Sequence, residues 1–272
     1  MTVILEGGCR VSEMQEGASV DHGTLRIWNQ IGRATGAQAI SLRVLEFGAG
    51  LSPGIRNDGY EEILYALDSS WALPGTGRAE MDTTRLSGWA DLLIDGRSHT
   101  VSPDTGIYLR PGETLAVDNP GPGSVILISS QCPDPDRTPQ FSPATTSASN
   151  SIRVNQPPPL IRLIDRQPQS TADRWYRVLI DDEVGSTQVT QFVGSIPPGR
   201  APDHFHNYEE VLFILSGEGR MWAGNMNTPI RPGSCIYLPK RQVHCVENTG
   251  AGELRLLGVF YPTGSPSVRY DV

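Results

Sequence analysis

Five histidines occur in this chain of 272 residues, and three of them fall in two short segments. The first segment reads His204, Phe205, His206, Asn207, Tyr208, Glu209, Glu210, and the second centres on His244. Residues two apart on an extended strand point to one face, so His204 and His206 present both imidazoles on the same side. Asn207-Tyr208 reads as a bend, after which Glu210 opens the apolar run Val211 to Leu215. His244 falls on a second expected strand, Gln242 to Val246. Three imidazoles and one carboxylate converging inside a barrel make a four-ligand site for a first-row divalent metal. His204, His206, Glu210 and His244 are the expected ligands. The alternative is a metal-free barrel in which the same side chains are merely hydrogen-bonded.

Turn residues frame both segments. Gly199 precedes the histidine pair, Gly217 ends the apolar run, and the second segment carries Gly233, Pro239, Arg241 and Asn248 around His244. The arrangement Gly199…His204-x-His206-x-x-x-Glu210…Gly217, then Gly233…Pro239…His244-x-x-x-Asn248, resembles the two signature motifs of the cupin superfamily. The resemblance implies a small antiparallel β-barrel whose His-His-Glu-His set binds a divalent metal. Two departures stand out. The gap from Gly199 to His204 is one residue short of the usual spacing, and Arg241 stands where cupins often carry glycine. The second change would alter the turn before His244 or bring a guanidinium to the barrel mouth.

The first half of the chain repeats this unit. Tyr60-Glu61-Glu62-Ile63-Leu64 mirrors Tyr208-Glu209-Glu210-Val211-Leu212, 148 residues later, and Ile107-Tyr108-Leu109 mirrors Ile236-Tyr237-Leu238, 129 residues later. Duplication of one supersecondary unit is the simplest account. The first copy then carries 19 more residues between its segments, most of them within residues 71–87. Superposition sets His204 against Arg56, His206 against Asp58 and His244 against Leu115, while Glu62 matches Glu210. Arginine and leucine offer no lone pair, so the first barrel is expected to hold no metal. Arg56, Asp58 and Glu62 would form an internal ion pair there, or a pocket for an anionic small molecule. The expected organisation is all-β, two antiparallel cupin-type barrels in tandem. Residues 1–132 form the first, residues 133–151 a Pro/Ser/Thr-rich linker, and residues 152–272 the second, which carries the metal.

Composition excludes several classes of partner. With 22 basic against 30 acidic residues the net charge is −8, which disfavours nucleic acid. No apolar stretch approaches the length of a membrane span, and a cytoplasmic location is the expectation. The 29 glycines and 22 prolines suit short strands joined by tight turns. Four cysteines, Cys9, Cys132, Cys235 and Cys245, show no pairing framework and read as buried thiols. Unpaired outer strand edges make a homodimer an open expectation.

Four protein ligands leave about two positions open on a six-coordinate ion. A small oxygenated substrate, water or dioxygen can enter there, and iron or manganese is the expected metal, with zinc or nickel as alternatives. Around the ligands, Tyr208, Arg220 and Gln242 are the candidate catalytic residues. Gln242 alternates with His244 and should look inward; Arg220 shares a strand face with Trp222 and reaches the pocket only if that face points in. The leading function is a metal-dependent dioxygenase or related oxidoreductase. A non-redox isomerase, lyase or hydrolase remains open, because a degenerate first cupin with a metal-bearing second resembles the layout of ureidoglycine aminohydrolases. A metabolite-binding module without turnover is the third reading. The fold alone does not choose among them.

Overall fold

The computed structural model describes residues 1–68, 90–136, 138–146, 159–171, 174–268 and 270–271. Most of the expected 19-residue insertion falls within residues 71–87, which lie outside them. Strands dominate, interrupted by three-residue 3-10 turns such as Arg33–Thr35 and Leu163–Asp165. Among the described residues they form four antiparallel sheets, two to each barrel. In the second barrel an eight-stranded sheet faces a six-stranded one; in the first, a seven-stranded sheet faces a six-stranded one.

The repeated strands Glu61–Ala66 and Glu209–Ser216 lie at the centre of the two larger sheets, and both faces of each are covered. Near-continuous apolar sequence is what such a strand needs. One face of Glu209–Ser216 sends Leu212 and Ile214 into the second barrel's own core, with Phe192, Met221 and Phe260. The other sends Val211 and Phe213 into a layer shared with Ile63 and Tyr65 of the first barrel. Leu64 and Ala66 fill the first barrel's core. Burying a side chain such as Phe213 completely is worth about 2–3 kcal/mol, so this shared layer fixes the barrels against each other.

Strand pairing crosses the expected domain boundaries. Residues 10–13 of the first half pair with Ser234–Leu238, at the edge of the second barrel's large sheet. Leu160–Arg162 pairs with Thr105–Leu109 of the first barrel, so the arm before the second barrel is a strand of its neighbour. Within the expected linker, Gln140–Ser142 pairs with Gly54–Arg56 and extends the first barrel. Each half therefore completes the other.

A pair of buried glutamates seals the contact. Glu209 accepts hydrogen bonds from the backbone N–H groups of Gln38 (2.6 Å), Ala39 (2.8 Å) and Ile40 (3.2 Å) and from the Tyr237 hydroxyl (2.5 Å). Its repeat-mate Glu61 accepts from Thr187 N–H and Oγ1 (both 2.9 Å) and from Ser186 Oγ (2.8 Å). Each carboxylate thus ties down a loop of the opposite barrel.

Candidate metal centre

His204 begins the short strand His204–Phe205, which pairs with His244–Asn248 so that His204 lies directly opposite His244. His206 follows on the bend. The ligand nitrogens of His204, His206 and His244 all lie within 4.8 Å of one another, and the ring centroids are 4.6 to 5.2 Å apart. His206 and His244 are buried and His204 is half-buried.

Backbone carbonyls fix the tautomers. Nδ1 of His204 lies 3.0 Å from Pro202 O, Nδ1 of His206 2.9 Å from Val268 O, and Nδ1 of His244 2.7 Å from Gln242 O. A carbonyl oxygen only accepts, so each Nδ1 must donate its hydrogen, which leaves the Nε2 lone pairs free to ligate. Tyr208 stacks on the His206 ring at 4.4 Å and on Phe260 at 4.3 Å, clamping the imidazole from behind. The outer ring of this clamp, Phe260, is itself fully buried.

Glu210 brings a carboxylate to the same place. Its Oε2 lies 3.9 Å from His206 Nε2, and among the described residues no hydrogen bond reaches it. Burial pushes its pKa up to about 8. Burial, and then the neighbouring His204, lower the His244 pKa to about 3. A buried carboxyl without a cation beside neutral imidazoles is what a divalent ion would satisfy, so the residues fit a metal.

The three expected histidine ligands are grouped, and Glu210 approaches them through His206; the other candidates are placed differently. Gln242 is turned away. The strand begins at His244 rather than Gln242, because Arg241 adopts φ 63° and breaks the alternation on which the inward reading rested. The Gln242 amide donates to Val243 O at 2.8 Å and lies over Gly7, where a Cβ would meet Oε1 at 1.5 Å. Arg220 is on the outer face: Gly219, Met221 and Ala223 are the buried members of its strand, and its Nε donates to Asn227 Oδ1 at 2.7 Å. Trp222 on that face donates to Glu247 and lies under the Arg200 guanidinium. Tyr208 supports His206 and does not line the cavity.

The rings open onto a cavity of about 120 Å³. Its buried walls include Phe192, Ile196, Leu212, Val246 and Leu256, with Tyr176 set edge-on to Phe192 at 6.4 Å. The exposed C-terminal segment passes over it: Pro266 and Ser267 line the rim, Val268 holds His206, and Tyr270–Asp271 pairs with His204–Phe205. Sequence reading missed Phe192 and Val268. The first is one apolar residue in an apolar strand, and the second acts through a backbone carbonyl that no side-chain pattern reveals.

In the first barrel the register corrects the superposition by one residue. Leu115 lies opposite Ile55 as His244 lies opposite His204, so Ile55, not Arg56, stands in the place of His204. Asn57 correspondingly replaces His206 and bonds the Glu62 carboxylate. A slip of one residue exchanges the two faces of a strand. Arg56 and Asp58 therefore pair with each other at 2.9 Å on the exposed face. Glu62 is instead paired with the buried Arg43 and accepts from Ser129 at 2.5 Å. Ile55 and Leu115 have no lone pair to give, and a guanidinium already neutralises Glu62.

A family model described as a cupin domain matches residues 192–260. The oxalate-binding protein of Thermotoga maritima is 35% identical over 66 residues, covering 24% of this chain and 54% of that one. Auxin-binding protein T92 of Nicotiana tabacum is 32% identical over 117 residues, 37% of this chain and 63% of that one. These alignments thus span only about half to two thirds of each relative. Over the whole chain the likeness is structural. A point mutant of Bacillus subtilis oxalate decarboxylase superposes with TM-score 0.71 at 14% identity, covering 96% of this chain and 79% of that one. A glyoxylate-induced protein of Pseudomonas aeruginosa gives TM-score 0.68 at 14% identity, with 96% and 91% covered. Residues 192–260 thus match a cupin domain, and the chain as a whole has the cupin-type fold, two barrels in one polypeptide.

Proposed function

We propose that the chain is a metal-dependent enzyme that acts on a small oxygenated metabolite in the second barrel, with His204, His206, Glu210 and His244 as ligands and dioxygenation as the reaction. The convergence of three tautomer-fixed imidazoles and an uncompensated carboxyl at the base of a cavity with apolar walls carries this reading. A divalent ion held there supplies Lewis-acid chemistry and, for iron or manganese, one-electron chemistry.

The chain's own residues do the rest. The Nδ1 hydrogen bonds orient the rings, the His206–Tyr208–Phe260 stack holds one of them rigid, and Glu210 supplies the single negative charge of the set. Walls of Ile196, Leu212 and Leu256 exclude water, which favours oxygenation over hydrolysis. A lyase without net oxidation is the second reading, favoured by the likeness to oxalate decarboxylases.

Elemental analysis of wild type and His206→Ala, followed by oxygen uptake with organic acids, diketones and enols, tests the proposal. About one equivalent of iron or manganese, lost in the variant, with substrate-dependent oxygen consumption is the expected result. Turnover with no oxygen consumed would select the lyase. Stoichiometric metal retained in His206→Ala would overturn the ligand set, and no turnover despite tight metabolite binding would leave a binding module.

A further inference from the structure

The same scaffold position carries opposite chemistry in the two barrels. In the first, Arg43 lies opposite Ser129 on the neighbouring strand, and both side chains reach the Glu62 carboxylate. In the second, the matching pair is Phe192 opposite Gly258. A Cβ on Gly258 would lie 2.3 Å from the Phe192 ring, so the ring lies flat across the glycine and only glycine admits it. A polar, charge-neutralising pair has become an aromatic wall beside Glu210.

The remaining lining agrees. Apart from Ser195 and the ligands, the buried walls are apolar: Ile196, Leu212, Val246 and Leu256, with Tyr176, whose hydroxyl is taken by Gln169 at 2.9 Å. Arg174, Thr171 and Ser267 belong to the less buried rim. A small dianion placed against these walls would lose its hydration and find at most one buried hydroxyl, that of Ser195, in return. At 10–15 Å³ for each water-sized volume, a cavity of about 120 Å³ takes roughly ten non-hydrogen atoms.

We infer that the substrate is a compact oxygen chelator with a flat apolar body, seated against Phe192, and not a small dianion of the oxalate type. This rests on the metal reading above for the chelating end and on the walls alone for the body.

Two hydroxamic acids with one chelating group and different bodies separate these parts. Benzohydroxamate and acetohydroxamate, with oxalate as a third probe, are titrated by calorimetry into metal-loaded and metal-free protein, with metal content measured on each sample. Benzohydroxamate is expected to bind metal-loaded protein at least about tenfold tighter than acetohydroxamate, and tighter than oxalate. Phe192→Ala should cut that preference to about threefold or less while leaving acetohydroxamate affinity within about twofold. Gly194→Val is a second variant that does not open the core. Its Cβ meets Leu256 and Phe192 only at 3.5 Å, so the branch methyls intrude on the cavity and should erode the phenyl preference alone.

Equal affinities in protein carrying stoichiometric metal, or tighter binding of oxalate, would overturn the inference and leave the metal reading standing. A chain that takes up no metal yet still prefers the phenyl body would do the reverse.

Discussion

Glu209 and Glu210 are adjacent, carry the same side chain and face opposite ways, so neutralising each should produce opposite phenotypes. Glu209→Gln replaces one carboxylate oxygen with an NH₂ group that points hydrogens at donors. Whichever oxygen is lost, two of the four contacts to Gln38, Ala39, Ile40 and Tyr237 go with it. Charge-assisted bonds of this kind are worth about 1.5–3 kcal/mol each, so the loss should be about 3–6 kcal/mol of stability. Metal affinity should not change, because the side chain faces the other barrel. Glu210→Gln removes a buried carboxyl that has no cation in the metal-free protein. With a pKa moved from 4.5 to about 8, ionisation in the unfolded chain at pH 7 costs the folded state about 3 kcal/mol. The variant should regain up to that amount when metal-free, and bind metal at least about a hundredfold more weakly. Urea unfolding of metal-free protein and competition against a chromophoric chelator read the two quantities separately. A Glu209→Gln variant within about 1 kcal/mol of wild type, or one that loses metal while Glu210→Gln keeps it, would refute the assignment of faces.

Metal-free protein should show a stability plateau between pH about 4.5 and 6.5. Glu210, raised to about 8, favours folding below 4.5 and loses that contribution as pH rises through 8; His244, lowered to about 3, favours folding above 6.5 and loses it as pH falls towards 3. The two slopes oppose each other between those limits, and bound metal should flatten the alkaline limb; a urea midpoint that keeps rising above pH 7 without metal would contradict this. Arg43→Met should cost about 3–5 kcal/mol by stranding Glu62, and Arg43→Met with Glu62→Leu should recover most of it. Metal content of the second barrel should stay constant in both, and an undiminished single variant would show the pair to be dispensable.

The grouping of the three histidines was legible because strand alternation and turn glycines leave marks on sequence. The two central strands and the reversal between Glu209 and Glu210 follow from the same alternation. What failed did so at interruptions of it. Arg241 in the left-handed region starts the His244 strand two residues late, which turned Gln242 out of the site. One additional residue between Asn57 and Glu62, compared with His206 and Glu210, shifted Arg56 to the exposed face. Arg220 was ambiguous because its strand alternates without saying which face is the inner one. The exchange of edge strands was not written in pattern at all, since residues 10–13 and Leu160–Arg162 are short and only their partners identify them.

That exchange has a consequence for how the chain is made. The arm at residues 10–13 leaves the ribosome long before its partner strand, which ends at Leu238, and the first barrel's own edge waits for Arg162. At about 5–20 residues per second, the arm stays unpaired on the order of ten to fifty seconds while most of the protein is synthesised. The first barrel therefore emerges with an open sheet edge and an uncovered apolar face bearing Tyr65 and Ile63. Native assembly closes late, and a nascent chain stalled before Leu238 is the species most exposed to aggregation.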